Sequence, residues 1–86
     1  MIKMSVSKFA EKYPLPGFYM DIRGAYCLNL GKNLLSVFTN GDTEALDICV
    51  DTISCRGYFD ENLVWETPES EQEAIQTIQQ LVKQYK

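Results

Sequence analysis

The chain has 86 residues, 45% of them hydrophobic and 23% charged, with five Tyr and four Phe, so it reads as one domain and not as a disordered segment. Twelve carboxylates against eight cations leave a net charge of −4, a field that repels nucleic acid and attracts basic surfaces. Histidine is absent, the three cysteines (Cys27, Cys49 and Cys55) are an odd set without metal spacing, and no apolar run nears the roughly 18 residues of a membrane helix, which argues against disulfide scaffolds, zinc sites and membrane spans.

Taken in chain order, Ser5 to Tyr13 reads as a short helix. Ser5 or Ser7 caps it, and Val6, Phe9, Ala10 and Tyr13 share one face. Pro14 and Pro16 stop it, because the residue before a proline is pushed towards extended geometry. From Phe18 the apolar period becomes two: Phe18, Met20 and Ile22 alternate with Tyr19 and Asp21, a strand pattern ended by Arg23-Gly24. Ala25–Leu30 and Leu34–Thr39 read as two more strands joined by Gly31-Lys32-Asn33. Asn40-Gly41 fits a type I′ turn, lengthened by Asp42-Thr43-Glu44.

Leu46 to Cys55 is β-branched and alternating, with Leu46, Ile48 and Val50 on one face and Asp47, Cys49 and Asp51 on the other. Ile53 falls out of phase with the first set, which a bulge near Val50–Thr52, or a strand buried on both faces beyond it, would explain. Arg56-Gly57 ends the element. Tyr58-Phe59 and Leu63-Val64-Trp65 then form one or two short strands around an Asp60-Glu61-Asn62 turn. The last element is an amphipathic helix with Thr67 at its N-cap, Pro68 in the first turn, and Ala74, Ile75, Ile78, Leu81, Val82 and Tyr85 in one apolar stripe. The expected fold is therefore α+β: an antiparallel sheet of four to five strands, the C-terminal helix packed on one face, and a short N-terminal helix, in a single domain spanning residues 1–86.

The chemistry-bearing residues point away from catalysis. Asp47 and Asp51 share a strand face, but four residues of extended chain separate them by about 13 Å, too far for paired acid–base work, and both read as solvated acids. No base or helix N-terminus activates a cysteine. Asp42, Glu44 and Asp47 do not match a calcium loop, and the five glycines are isolated, so no phosphate cradle opens a helix. No cofactor or metal is expected. Cys27 and Cys49 read as reduced, buried small residues. The Ser5…Phe9-Ala10…Tyr13 pattern resembles the first helix of small helix-turn-helix regulators over nine residues. The second, basic helix that this resemblance implies is replaced by Pro14, Pro16 and a strand pattern.

What remains is the charge distribution. Asp42, Glu44, Asp47, Asp51, Asp60, Glu61, Glu66, Glu69, Glu71 and Glu73 fall in one segment whose only cation is Arg56. Tyr58, Phe59 and Trp65 lie among them, and aromatic anchors in a charged rim are what an interface hot spot needs. A helix starting beside the last turn would bring Glu66, Glu69 and Glu73 towards Asp60 and Glu61. The expected partner-binding residues are Asp47, Asp51, Tyr58, Asp60, Glu61, Trp65, Glu66, Glu69 and Glu73. The expected function is a non-enzymatic, cytoplasmic protein-binding module. By profile it fits the inhibitors encoded by phage and mobile elements, mimicking nucleic acid towards a basic nucleic-acid-handling protein. The alternatives are self-association through an exposed strand such as Leu46–Cys55, and a small DNA-binding regulator using Lys8 and Lys12.

Overall fold

The computed structural model describes residues 1–54 and 59–86; Tyr58, expected at the partner surface, and the thiol of Cys55 lie outside the described residues. Among the described residues the elements are α1 (Val6–Lys12), β1 (Tyr19–Met20), β2 (Tyr26–Leu30), β3 (Asn33–Thr39), β4 (Leu46–Ile53), β5 (Phe59–Glu66) and α2 (Glu71–Tyr85). The strands make one antiparallel meander in sequence order, β1-β2-β3-β4-β5. The arrangement is the expected α+β order of helix, meander and helix. No described helix is long and apolar enough to cross a membrane.

Alternation along the strands splits the sheet into two unlike faces. Tyr26 and Leu30 of β2, Leu35 and Val37 of β3, and Leu46, Ile48 and Val50 of β4 form the main core. Onto them pack Val6 and Phe9 of α1, and Ala74, Ile78 and Leu81 of α2. Both helices therefore cover the same face. Among the described residues the other face holds a small buried cluster, Ala25, Cys27 and Leu34, with Phe38 and Ile53 packed beside it.

Two turns show how the local sequence sets the register. Gly31 has φ of +82° and, with Lys32, joins Leu30 to its partner Asn33. A glycine-first, two-residue hairpin matches the strand twist. Asn40-Gly41 does not form the expected type I′ turn. Glu44, with φ of 59°, takes the left-handed position instead, and the wider loop closes through Asn40 N donating to the Ala45 carbonyl at 2.8 Å. The reason lies in the Asn40 side chain: its Oδ1 accepts from Asp42 N at 2.8 Å while its amide reaches Asp47. An asparagine committed at both ends organises its own loop.

Three further expectations are corrected. Asp60-Glu61-Asn62 is not a turn but part of the continuous strand β5. Pairing jumps from Asp51–Asn62 to Val50–Val64 and from Ile53–Phe59 to Thr52–Glu61, leaving Leu63 and Asp60 as extra residues on β5. Irregularities thus occur near residues 50–53, but β4 itself stays in phase and Ile53 joins the small second cluster. Leu46–Cys55 is not an exposed edge, because β4 lies between β3 and β5. Finally, α2 is capped by Ser70, whose Oγ accepts from Glu73 N at 3.1 Å. Thr67 is diverted to another partner, and Pro68 is fully buried ahead of the helix.

The helices are held to the sheet by polar contacts as well as by burial. Ser5 caps α1, accepting from Lys8 N at 3.2 Å. After α1 breaks, the hydroxyl of buried Tyr26 donates to the Tyr13 carbonyl at 2.9 Å and accepts from Leu15 N at 2.8 Å. One side chain thereby satisfies two backbone groups that Pro14 prevents from continuing a helix. Glu71 of α2 receives both Lys12 Nζ at 2.8 Å and Tyr13 Oη at 2.6 Å.

Replacing Tyr26 by Phe keeps the ring and deprives both backbone groups of their partner, which should lower the unfolding free energy by about 1–3 kcal/mol in urea denaturation. The Lys12–Tyr13–Glu71 contact predicts a pH signature. Its hydrogen bond from Lys12 holds the Glu71 carboxyl below the ordinary glutamate range, and its bond to Glu71 holds the Tyr13 hydroxyl above its own. A lowered carboxyl pKa stabilises above its unfolded value and stops doing so as acid titrates the folded group. A raised tyrosine pKa stabilises until base titrates the folded group. The difference in unfolding midpoint between wild type and Glu71→Gln should therefore be present at neutral pH and vanish at both extremes.

Candidate functional site

The uncovered face of the sheet is ordered by its register. Tyr19, Cys27, Ser36, Cys49 and Trp65 are successive partners across the five strands, so one row runs from edge to edge with small side chains in the middle and an aromatic at each end. Phe38 and Asp47, themselves partners, lie in the neighbouring row. The centre of this face is consequently low and its margins high.

Asp47 is the pivot of one margin. It is 1% exposed, and its carboxylate collects three neutral donors. Trp65 Nε1 and Asn40 Nδ2 each donate to Oδ2 at 2.9 Å, and Thr67 Oγ1 donates to Oδ1 at 2.9 Å. These donors come from β5, from the loop after β3, and from the segment entering α2, so a single carboxylate joins three pieces of chain. It also aims the indole: Trp65 stands edge-on to Phe38 with ring centroids 5.2 Å apart and planes at 89°. Trp65 nevertheless remains 52% exposed.

Arg23 builds the opposite margin. The turn that presents it is closed by the Asp21 carboxylate, which accepts from Arg23 N at 2.9 Å and Ala25 N at 3.0 Å. Asp21 also takes the Arg23 Nε–H at 2.7 Å. Its backbone bond from Ala25 and the Arg23 guanidinium hold its carboxyl below the usual range, against the opposing effect of burial. Thus restrained, the guanidinium lies 4.5 Å from the centroid of the Phe59 ring, a cation–π contact. Phe59 is 45% exposed.

Between these margins sit Cys49 and Asp51. The Cys49 thiol donates to Asp51 Oδ2 at 3.1 Å, and the Asn62 amide donates to Asp51 Oδ1 at 3.0 Å. Burial pushes the Cys49 thiol up, and the Asp51 carboxylate that it donates to adds to that. Cys27 is also raised by burial. Both thiols are held in the protonated form.

The sequence-selected acids separate under this geometry. Asp47 is no surface charge: Trp65, Asn40 and Thr67 internalise it. Asp51 is half-buried on the open face near Trp65. Asp60 and Glu61 are exposed at the start of β5. Glu66 closes the same strand, about 16 Å away along the chain. Near it in sequence, Glu69 meets the Met1 amino group at 2.6 Å, and Glu73 Oε2 accepts from Glu69 N at 3.2 Å. The expected convergence of Glu66, Glu69 and Glu73 on Asp60 and Glu61 does not occur, because β5 runs straight through where a turn was expected. Arg23 and Phe38 were not singled out from the sequence. Their only signals were the Asp21-x-Arg23 turn and the strand parity that pairs Phe38 with Asp47. No known protein family, curated protein or solved structure matches the chain.

Removing the Asp47 carboxylate should orphan three donors at once. Asp47→Ala is expected to cost about 3 kcal/mol or more, and Thr67→Val, which removes one donor, about 1–2 kcal/mol. Urea denaturation followed by Trp65 fluorescence checks both, and equal losses would contradict the carboxylate's role as a three-way junction.

Proposed function

We propose that the chain is a non-enzymatic protein-binding module that docks its uncovered sheet face onto a basic, nucleic-acid-handling protein and inhibits it. The observation that carries this reading is the pairing of half-exposed Trp65 and Phe59 on a face that neither helix covers. Large aromatics on a sheet surface, with the Asp51 carboxylate on the same face and exposed Asp60 next to Phe59 in the chain, have the composition of an interface hot spot with a charged rim. Carboxylates facing a groove that normally takes phosphates would engage its Arg and Lys by charge-assisted hydrogen bonds. The molecule measures 33 × 26 × 20 Å, so its broad face is comparable with the roughly 800 Å² that each partner contributes to a standard interface.

The face is a better candidate than either sheet edge. β1 has two residues, and β5 carries the two extra residues that interrupt its ladder. Short or bulged edge strands are poor templates for pairing.

Affinity capture from nuclease-treated lysate of the source organism tests the proposal. A basic nucleic-acid-binding protein should be retained by the wild type at low salt and released at moderate salt. It should be lost from both a Phe59→Ala/Trp65→Ala variant and a Asp51→Asn/Asp60→Asn/Glu61→Gln variant. Equal retention by all three proteins would remove the open face from the function.

A further inference from the structure

The low centre of the open face is a cavity of about 250 Å³. Its floor is made by Ala25, Ser36 and Cys49, and its walls by the rings of Phe38, Trp65 and Phe59, with Asp51 and Arg23 at its margin. Pockets for free small molecules run from roughly 300 to 1,000 Å³. This one is smaller and has the scale of a single long side chain.

Charge decides which side chain. The Asp51 carboxylate is half-buried, and among the described residues it accepts from a thiol and an amide, both neutral. Among the described residues the nearby cation is Arg23, which directs its Nε–H and its ion pair to Asp21. An apolar side chain entering the cavity would strip water from the Asp51 carboxylate, and an anionic one would be repelled. A cation gains both the carboxylate and the faces of the surrounding rings. A planar guanidinium gains most, since it stacks on aromatics and bonds a carboxylate through two N–H groups. Arg23 already displays this chemistry within the chain, lying over Phe59 while bound to Asp21.

The geometry points to a socket for one arginine side chain of the partner, with Asp51 receiving the guanidinium and Trp65 and Phe59 enclosing it. This assignment rests on the open face being the docking surface, and it names the group that the surface recognises. Asp47 is a positioning residue for the socket, because it fixes the indole wall through Nε1.

The test follows the Nε1–H resonance of Trp65, the only tryptophan, in ¹H–¹⁵N spectra of the full chain. The probe is Nα-acetyl-arginine amide, compared with the citrulline analogue, which has nearly the same shape and no charge. The arginine probe should shift the resonance saturably and the citrulline probe should leave it in place. Asp51→Asn should weaken the arginine effect about tenfold, whereas Asp60→Asn/Glu61→Gln, at the start of β5, should change it far less. If Asp51→Asn does not fold, the arginine–citrulline comparison on the wild type decides alone. Equal shifts by the two probes, or none by arginine, overturn the socket. A shift that depends on protein concentration without added probe also overturns it, by making a second copy the occupant. Partner capture that needs Phe59 and Trp65 but survives Asp51→Asn overturns the socket while leaving the docking face standing. Loss of both results overturns both.

Discussion

A sheet has two faces, and this chain has helices for only one of them. Val6 and Phe9 of α1 and Ala74, Ile78 and Leu81 of α2 join one cluster with Leu35, Val37, Ile48 and Val50. A domain this small buries only about 60–65% of the surface its unfolded chain exposes, so no third layer is available. The second face must close itself with its own side chains. It does so with polar groups arranged around small residues: Arg23 held by Asp21 and laid on Phe59, Trp65 held by Asp47 and set against Phe38. These pairs stand where a covering helix would otherwise be. They restrain large rings without burying them, so the same solution that closes the face also leaves it available.

The polar pairs also link the two faces. Asp47 reaches Thr67, and from there the chain passes buried Pro68 to the Ser70 cap and into α2. The position at which the covering helix begins is therefore tied to a carboxylate on the opposite side of the sheet. This explains why α2 starts at Glu71 although Thr67-Pro68 has the local composition of a helix start. A threonine hydroxyl can cap a helix or satisfy a buried anion, and the hydrogen bond to a charged acceptor is the stronger of the two.

The parts of the fold that depend on local pattern were legible in the sequence. The apolar stripe from Ala74 to Tyr85, the stop at Pro14 and Pro16, and the alternation through Leu46, Ile48 and Val50 each follow from short-range periodicity. What was not legible depends on partners distant in sequence. Asp47 looks like any solvated strand acid until Asn40, Trp65 and Thr67 are placed around it. Asn40-Gly41 carries the strongest local signal in its half of the chain, yet the demand of Asp47 on the Asn40 amide accompanies a wider loop. Parity was a third obstacle. Asn62 and Trp65 differ by an odd number, so a regular strand would place them on opposite faces, and only the extra residue Leu63 brings Asn62 beside Asp51. The candidate site was half visible for this reason: Asp51 and Trp65 were selected, whereas Phe38 in the wall and Arg23 at the margin required the register.

The central row also bears on chemical durability. Cys27 and Cys49 lie at its lowest points, with their pKa values raised by burial. Oxidants and electrophiles attack the thiolate, and that species is scarce where the proton is held this firmly. A larger residue in either place would fill the trough, and an exposed, ionised thiol would expose it to sulfenic acid formation or mixed disulfides. Two cysteines that are small and whose thiols burial disfavours from ionising keep the trough open and uncharged.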